Sequence, residues 1–205
     1  DPPVDGWLLP RPPRETLAEN TRPLIVGTNL HEMLMYVDAD ADAAAWAARL
    51  AELVPDAAAR DVVNARLGNL PPRRRLDVLE TAAQFFCPSL RLADVAGRKA
   101  PVWVYRFDRV RGDTPLGAYH GAEIPYVFGT HDAWLPSDAE DRALTELMMA
   151  HWVAFARRGD PNAPDLPPWR PWQPGDAQRL LGADAGSDHE TADRWLCELM
   201  QDERG

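Results

Sequence analysis

Two short apolar runs, far apart in the chain, constrain its fold more than any other feature of the sequence. The first is PLIVGT at residues 23–28, and the second is VWVYRFD at residues 102–108. The first run fits a strand buried on both faces of a sheet, and the β-branched and aromatic residues of the second run also favour a strand. Helical patterns separate the two runs, and strands that alternate with helices indicate an α/β fold. Two strands form only a small, incomplete sheet, so we expect partner strands outside this chain.

Apolar residues recur at helical spacing in the rest of the chain. The clearest helix is predicted to start at Ser137, because Ser137 and Glu140 have the spacing of a capping box, and to end at Gly159. Ser187 and Glu190 repeat this start signal near the C-terminus. The predicted architecture is therefore a parallel sheet flanked by helices. Further helices are predicted at residues 42–54, around residues 62–68 and at residues 76–86, the last stopped by Pro88.

Charge and hydropathy argue against two classes of partner. The chain has 32 acidic and 22 basic residues and a net charge of -10, which repels the phosphates of nucleic acids and anionic membrane surfaces. No apolar stretch approaches the roughly 20 residues that cross a bilayer. The first residues lack a signal-peptide pattern, so the compartment, cytoplasmic or secreted, stays open. Lys99 is the only lysine, and with abundant alanine and proline this indicates a GC-rich bacterial genome.

Glu32 and His120 are the candidate catalytic pair. Glu32 follows the first apolar run and His120 follows the second, so a parallel sheet could bring both to the same edge. Hydrolysis by a serine needs a histidine that accepts the hydroxyl proton and a carboxylate that orients the imidazole. Taken alone, a loop histidine and a carboxylate after a strand are more often structural.

Several sequence motifs together resemble the type-B carboxylesterase family, which includes cholinesterase-like and lipase members. PLIVGTNLHE at residues 23–32 is similar to the motif that carries that family's catalytic glutamate, and HGAEIPYVFG at residues 120–129 is similar to its histidine motif. VDG at residues 4–6, WVAFA at residues 152–156 and GDPN at residues 159–162 also resemble the family. The motifs extend over nearly the whole chain in the family's order.

The resemblance implies the C-terminal part of an α/β-hydrolase fold and a reaction on small-molecule carboxylic esters without a metal or organic cofactor. Glu32 would orient His120, and His120 would act first as general base and then as general acid. Glu123 would be a buried hydrogen-bonding partner beside this pair.

The same resemblance places three residues near the substrate. Met35, Tyr36 and Tyr119 occupy positions that in relatives lie near bound substrate, although their apolar and aromatic side chains suit a core equally well. Two residues depart from the family pattern: His31 replaces the usual acidic residue, and Met33 replaces a small one. Neither change removes the carboxylate of Glu32.

The nucleophile is the missing part of the triad. The serines are Ser89, Ser137 and Ser187, none stands in Gly-x-Ser-x-Gly, and no glycine-rich stretch offers oxyanion donors. We therefore expect residues 1–205 to be the C-terminal half of a hydrolase domain whose N-terminal half carries the serine, and to be inactive alone. The alternative is a non-catalytic binding or adhesion-like relative, or an inert fragment.

Cys87 and Cys197 are too few to build a tetrahedral metal site, so a disulfide and two buried thiols both remain open. The words FCP at residues 86–88 and WLC at residues 195–197 resemble the positions of a disulfide in cholinesterase-like members. The resemblance thus implies a bridge between these cysteines in an oxidising compartment.

Overall fold

The computed structural model describes residues 4–112, 114–131, 136–176, 178–182, 188–189 and 194–200. Its strands are β1 (Leu24–Asn29), β2 (Val102–Phe107), β3 (Gln178–Leu181) and β4 (Asp188–His189). Its α-helices are α1 (Pro13–Asn20), α2 (Ala43–Leu53), α3 (Ala57–Leu67), α4 (Pro72–Thr81), α5 (Cys87–Ala96), α6 (Ile124–Phe128), α7 (Ala139–Arg158) and α8 (Arg194–Leu199), and a π-helix (Ala82–Phe86) lies between α4 and α5. No helix in these ranges is long and apolar enough to cross a membrane.

The sheet has the order β1-β2-β3-β4. β1 runs parallel to β2, with Leu24 opposite Val102 and Asn29 opposite Phe107, and β2 runs parallel to β3. Only β4 is antiparallel to its neighbour among the described strands. The two strands and the α/β architecture predicted from sequence are therefore confirmed, whereas β3 and β4 were not predicted. Because β1 and β2 are parallel, the loops that follow them start at the same edge of the sheet.

Both faces of β2 are buried, which explains why its sequence is mainly apolar. Val102 and Val104 belong to a core cluster formed with α2 to α5, while Trp103 and Tyr105 belong to a second cluster with α6 and α7. Successive side chains of a strand point to opposite faces, so each side of β2 must be apolar. Gly27 of β1 lies opposite Tyr105, and a Cβ atom there would be 2.2 Å from the tyrosine ring.

The start of α7 differs by one residue from the prediction. The N-cap is Asp138, not Ser137: its Oδ1 accepts from the Asp141 amide at 2.8 Å, and Asp141 Oδ2 accepts from the Asp138 amide at 2.9 Å. Arg109, just after β2, donates to both of these carboxylates, and this tertiary contact favours the shifted capping box. The helix ends at Gly159, as predicted. The start signal at Ser187 and Glu190 lies outside the described residues.

Pro88 does not stop the third helical stretch, so that prediction is wrong. The π-helix changes the hydrogen-bonding register, with the Cys87 amide donating to Ala82 O. Pro88 then falls in the first turn of α5, where a missing N–H is tolerated. Cys87 and Cys197 form a disulfide that joins the start of α5 to α8, with Cα atoms 5.4 Å apart.

Candidate active site

Glu32 lies in the turn that follows β1, with its side chain only 7% exposed. Its Oε1 accepts a hydrogen bond from the backbone N–H of Asn29 at 2.6 Å, and its Oε2 lies 2.6 Å from Nδ1 of His120. A carboxylate only accepts hydrogen bonds, so Nδ1 of His120 is the donor. Glu32 is thus held by two short hydrogen bonds in a buried position.

His120 lies in the loop after β2, and its side chain is 45% exposed. With the proton on Nδ1, the Nε2 lone pair can accept a proton from another group. The structure therefore brings together the two residues that the sequence analysis selected, in the geometry in which a carboxylate orients a histidine base.

Two aromatic rings lie beside the His120 imidazole. The Phe85 ring centroid is 5.3 Å from that of His120, and the Tyr36 centroid is 6.1 Å away in an edge-on arrangement. Phe85 belongs to the π-helix, a feature that often occurs at functional sites. Helical spacing could not reveal the position of Phe85, because the π-helix changes the register of the side chains here.

The other predicted residues have different surroundings. Glu123 is half-buried and accepts from Asn29 Nδ2 at 2.6 Å. Met35 and Tyr36 are 43% and 60% exposed, and Tyr36 is the one whose ring contacts His120. The Tyr119 side chain packs against the core cluster that contains Phe107. The part of the chain that the structure describes contains no group of His, Cys, Asp and Glu that could hold a metal ion.

His31 fastens the loop that leads to His120. Its amide donates to Ala118 O at 3.0 Å, and its Nδ1 accepts from the Ala118 amide at 3.0 Å. Burial, and then the positive charges of Arg74 and Arg106, lower the pKa of His31 to about 4, so the ring is neutral at pH 7. Gly117 has φ +65°, and a Cβ atom there would be 2.1 Å from His31 Nδ1.

A hydrogen-bonded chain connects the Glu32 turn to α4. The Met33 amide donates to Thr81 Oγ1 at 3.2 Å, and Thr81 donates to Asp77 Oδ1 at 3.2 Å. Burial raises the pKa of Asp77 to about 6, although Arg74 and the hydroxyl of Thr81 oppose the rise. The turn that carries Glu32 is therefore supported by a helix as well as by β1.

A carboxylate hydrogen-bonded to a histidine at the carboxyl edge of a mainly parallel sheet is an arrangement typical of the acid and base in an α/β hydrolase. Solved structures agree with this fold: a PNB esterase superposes with a TM-score of 0.75 at 23% sequence identity, covering 97% of this chain and 43% of that one. A thermophilic PNB esterase gives a TM-score of 0.73 over 94% of this chain and 42% of its own. Residues 1–193 match the model of the carboxylesterase family, and the chain belongs to that family.

Curated relatives come from animals and bacteria. The acylcarnitine hydrolase of Rattus norvegicus is 29% identical and the cocaine esterase of Homo sapiens 30% identical, each over 81% of this chain. The para-nitrobenzyl esterase of Bacillus subtilis (strain 168) is 28% identical over 78% of this chain. The chain spans only 35% of the length of each of these three relatives.

Proposed function

We propose that this chain supplies the acid and the base of a serine ester hydrolase. The observation that carries the proposal is the 2.6 Å hydrogen bond between Glu32 Oε2 and His120 Nδ1. His120 Nε2 would take the proton of a serine hydroxyl as the serine attacks the ester carbonyl, and would then pass this proton to the leaving alcohol. Water would release the acyl group in the same way. Glu32 would stabilise the imidazolium ion that forms in each step.

We propose that the serine and its oxyanion donors lie on polypeptide outside residues 1–205, which would be the C-terminal half of the hydrolase domain. Ser89 lies within α5 and Ser137 immediately before the N-cap of α7, neither in a strand-to-helix turn, while Ser187 lies outside the described residues. The chain's 35% share of the relatives' length supports this division. So does the position of β1 at one edge of the described sheet, where a further strand could pair.

The substrate would be a small carboxylic ester. The names of the relatives, an acylcarnitine hydrolase, a cocaine esterase and a para-nitrobenzyl esterase, support this class. Tyr36 and Phe85 beside His120 would form one wall of the pocket, with the exposed Met35 near its rim. An apolar wall next to the base suits esters with apolar alcohol or acyl groups.

The test uses the complete protein that contains this chain, a short p-nitrophenyl ester, and the variants His120→Ala and Glu32→Gln. We expect kcat to fall by about 10⁴-fold in each, because one removes the base and the other removes the charge that orients it. His131→Asn is the matched control, since that ring contacts Arg111 and Thr145 and should leave turnover near the unmodified level. Thermal unfolding would establish that each variant is folded.

Unchanged turnover in folded His120→Ala would reject the proposal and favour a binding module that keeps the pair without using it. The 205-residue chain assayed alone should show no hydrolysis above the level of His120→Ala in the complete protein. Activity of the isolated chain would contradict the proposed position of the serine.

A further inference from the structure

Asn29 contacts both halves of the candidate acid–base pair. It is the last residue of β1 and only 1% exposed. Its backbone N–H donates to Glu32 Oε1 at 2.6 Å. Its side-chain nitrogen donates to Tyr119 O at 2.8 Å and to Glu123 Oε2 at 2.6 Å. Tyr119 precedes His120 directly, so one buried residue holds the acid through its main chain and the histidine loop through its side chain.

We infer that Asn29 is a positioning residue that fixes the distance between Glu32 and His120, an inference that rests on the proposed function. The bond between the pair is short, and the His120 side chain is nearly half exposed, so the position of the imidazole depends on how the backbone of its loop is held. His31 holds this loop at Ala118, and Asn29 holds it at Tyr119, the residue next to His120. A catalytic base must be held within a fraction of an ångström to act efficiently. The two side-chain hydrogen bonds of Asn29 supply this restraint from beneath the loop.

The chemistry of the acceptors explains why an asparagine suits this position. Both groups that face the side-chain nitrogen, the carbonyl of Tyr119 and the carboxylate of Glu123, only accept hydrogen bonds. A primary amide offers two N–H donors from one atom, which matches them. Aspartate has nearly the same shape but offers oxygens only, so it would face a carbonyl and a second carboxylate without a donor.

The decisive variant is therefore Asn29→Asp in the complete protein, which keeps the size of the side chain and inverts the hydrogen bonding. We expect kcat for a p-nitrophenyl ester to fall by about 10- to 100-fold with KM changed less than about threefold, because a charged acceptor loses its donor and the base is displaced. The combination Asn29→Asp with Glu123→Gln should recover part of the loss, since the glutamine amide can donate to the new carboxylate. Asn64→Asp is the matched control: its Oδ1 accepts from Trp46 Nε1 on α2, and aspartate keeps that acceptor.

A second readout does not depend on turnover. The low-field proton resonance of His120 Nδ1–H, identified by its loss in His120→Ala, should shift or broaden in Asn29→Asp and sharpen again in the double variant. The inference would be overturned if Asn29→Asp kept the wild-type kcat, or if its loss of kcat were no larger than the fraction of unfolded protein. It would also be overturned if the kcat of the double variant were no higher than the product of the two single-variant effects predicts. If His120→Ala abolishes turnover and Asn29→Asp does not, only the role of Asn29 fails; if His120→Ala has no effect, the proposed function fails instead.

Discussion

His31 and Asp77 are two buried ionisable residues whose pKa values move in opposite directions. Burial together with Arg74 and Arg106 lowers the pKa of His31 from 6.5 to about 4. Burial raises the pKa of Asp77 from 3.8 to about 6. Each shift therefore favours the neutral form of its side chain. Since both residues support the turn that carries Glu32, their protonation affects the stability of the site.

The two shifts have opposite effects on stability between about pH 4 and pH 6. The unfolded chain binds the His31 proton more tightly than the folded protein does. The free energy of unfolding therefore decreases as the pH falls from about 6.5 to about 4. The folded protein binds the Asp77 proton more tightly than the unfolded chain does. Through this group the free energy of unfolding decreases as the pH rises from about 4 to about 6. We therefore expect the two slopes to oppose each other in the wild-type protein between about pH 4 and pH 6.

Asp77→Asn should reveal how the protonation of His31 changes the stability of the protein. We expect its free energy of unfolding, measured by urea titration from pH 4 to pH 7, to rise with pH more steeply than that of the wild type, by up to about 1.4 kcal/mol per pH unit. His31→Gln should lose stability with rising pH more steeply than the wild type, because the protonation of Asp77 still contributes and that of His31 does not. Curves for both variants that run parallel to the wild-type curve would show that these pKa shifts do not exist.

Residue-scale features differ in how far the sequence could reveal them. Glu32 and His120 could be selected because each belongs to a motif several residues long. The hydrogen bonds from Asn29 to Tyr119 and Glu123 could not be predicted from the sequence. They depend on the strand register that places the end of β1 beside the loop that follows β2. The contact of Phe85 with His120 was hidden for a different reason: helical periodicity fails where a π-helix changes the register.

At the scale of elements, the N-terminus of α7 shows how a tertiary contact selects between two equivalent local signals. Ser137 and Asp138 are both favourable N-cap residues, and each has an acidic residue three positions later. Arg109 decides between them by donating to Asp138 at 2.7 Å and to Asp141 at 2.8 Å. The long apolar stripe could be predicted, but its starting residue depended on an arginine after β2.

Asp138→Ala should therefore lower the free energy of unfolding by about 1–2 kcal/mol, because it removes the cap of α7 and one partner of Arg109. Ser137→Ala is the matched control and should change it by less than about 0.5 kcal/mol, since the Ser137 hydroxyl has no hydrogen-bond partner among the described residues. Urea unfolding followed by tryptophan fluorescence measures both. Equal losses in the two variants would return the N-cap to Ser137.

At the scale of the whole molecule, the helices on one face of the sheet support the candidate site from behind. The π-helix that carries Phe85 leads directly into Cys87, and the disulfide from Cys87 reaches α8, near the other end of the chain. Cys87 and Leu196 belong to the same core cluster as Val102 and Val104 of β2. A covalent link thus joins α8 to the start of α5, directly after the π-helix that presents an aromatic ring to His120.

Loss of this disulfide should therefore weaken the whole fold more than any single surface contact does. The bridge spans a sequence separation of 110, and closing so long a loop stabilises the folded state by about 2–5 kcal/mol, mainly by restricting the unfolded chain. We expect a reducing agent to lower the thermal unfolding temperature of the wild-type protein. The double variant Cys87→Ala/Cys197→Ala should unfold at this lower temperature whether or not the reducing agent is present. At low temperature, where the reduced protein remains folded, the ester hydrolysis proposed for the complete protein should continue, since Glu32 is held by the backbone of Asn29 and His120 by Glu32, whereas the disulfide joins α5 to α8. A wild-type unfolding temperature that does not respond to complete reduction would mean that packing of α8 alone, without the covalent link, holds the C-terminal helix against α5.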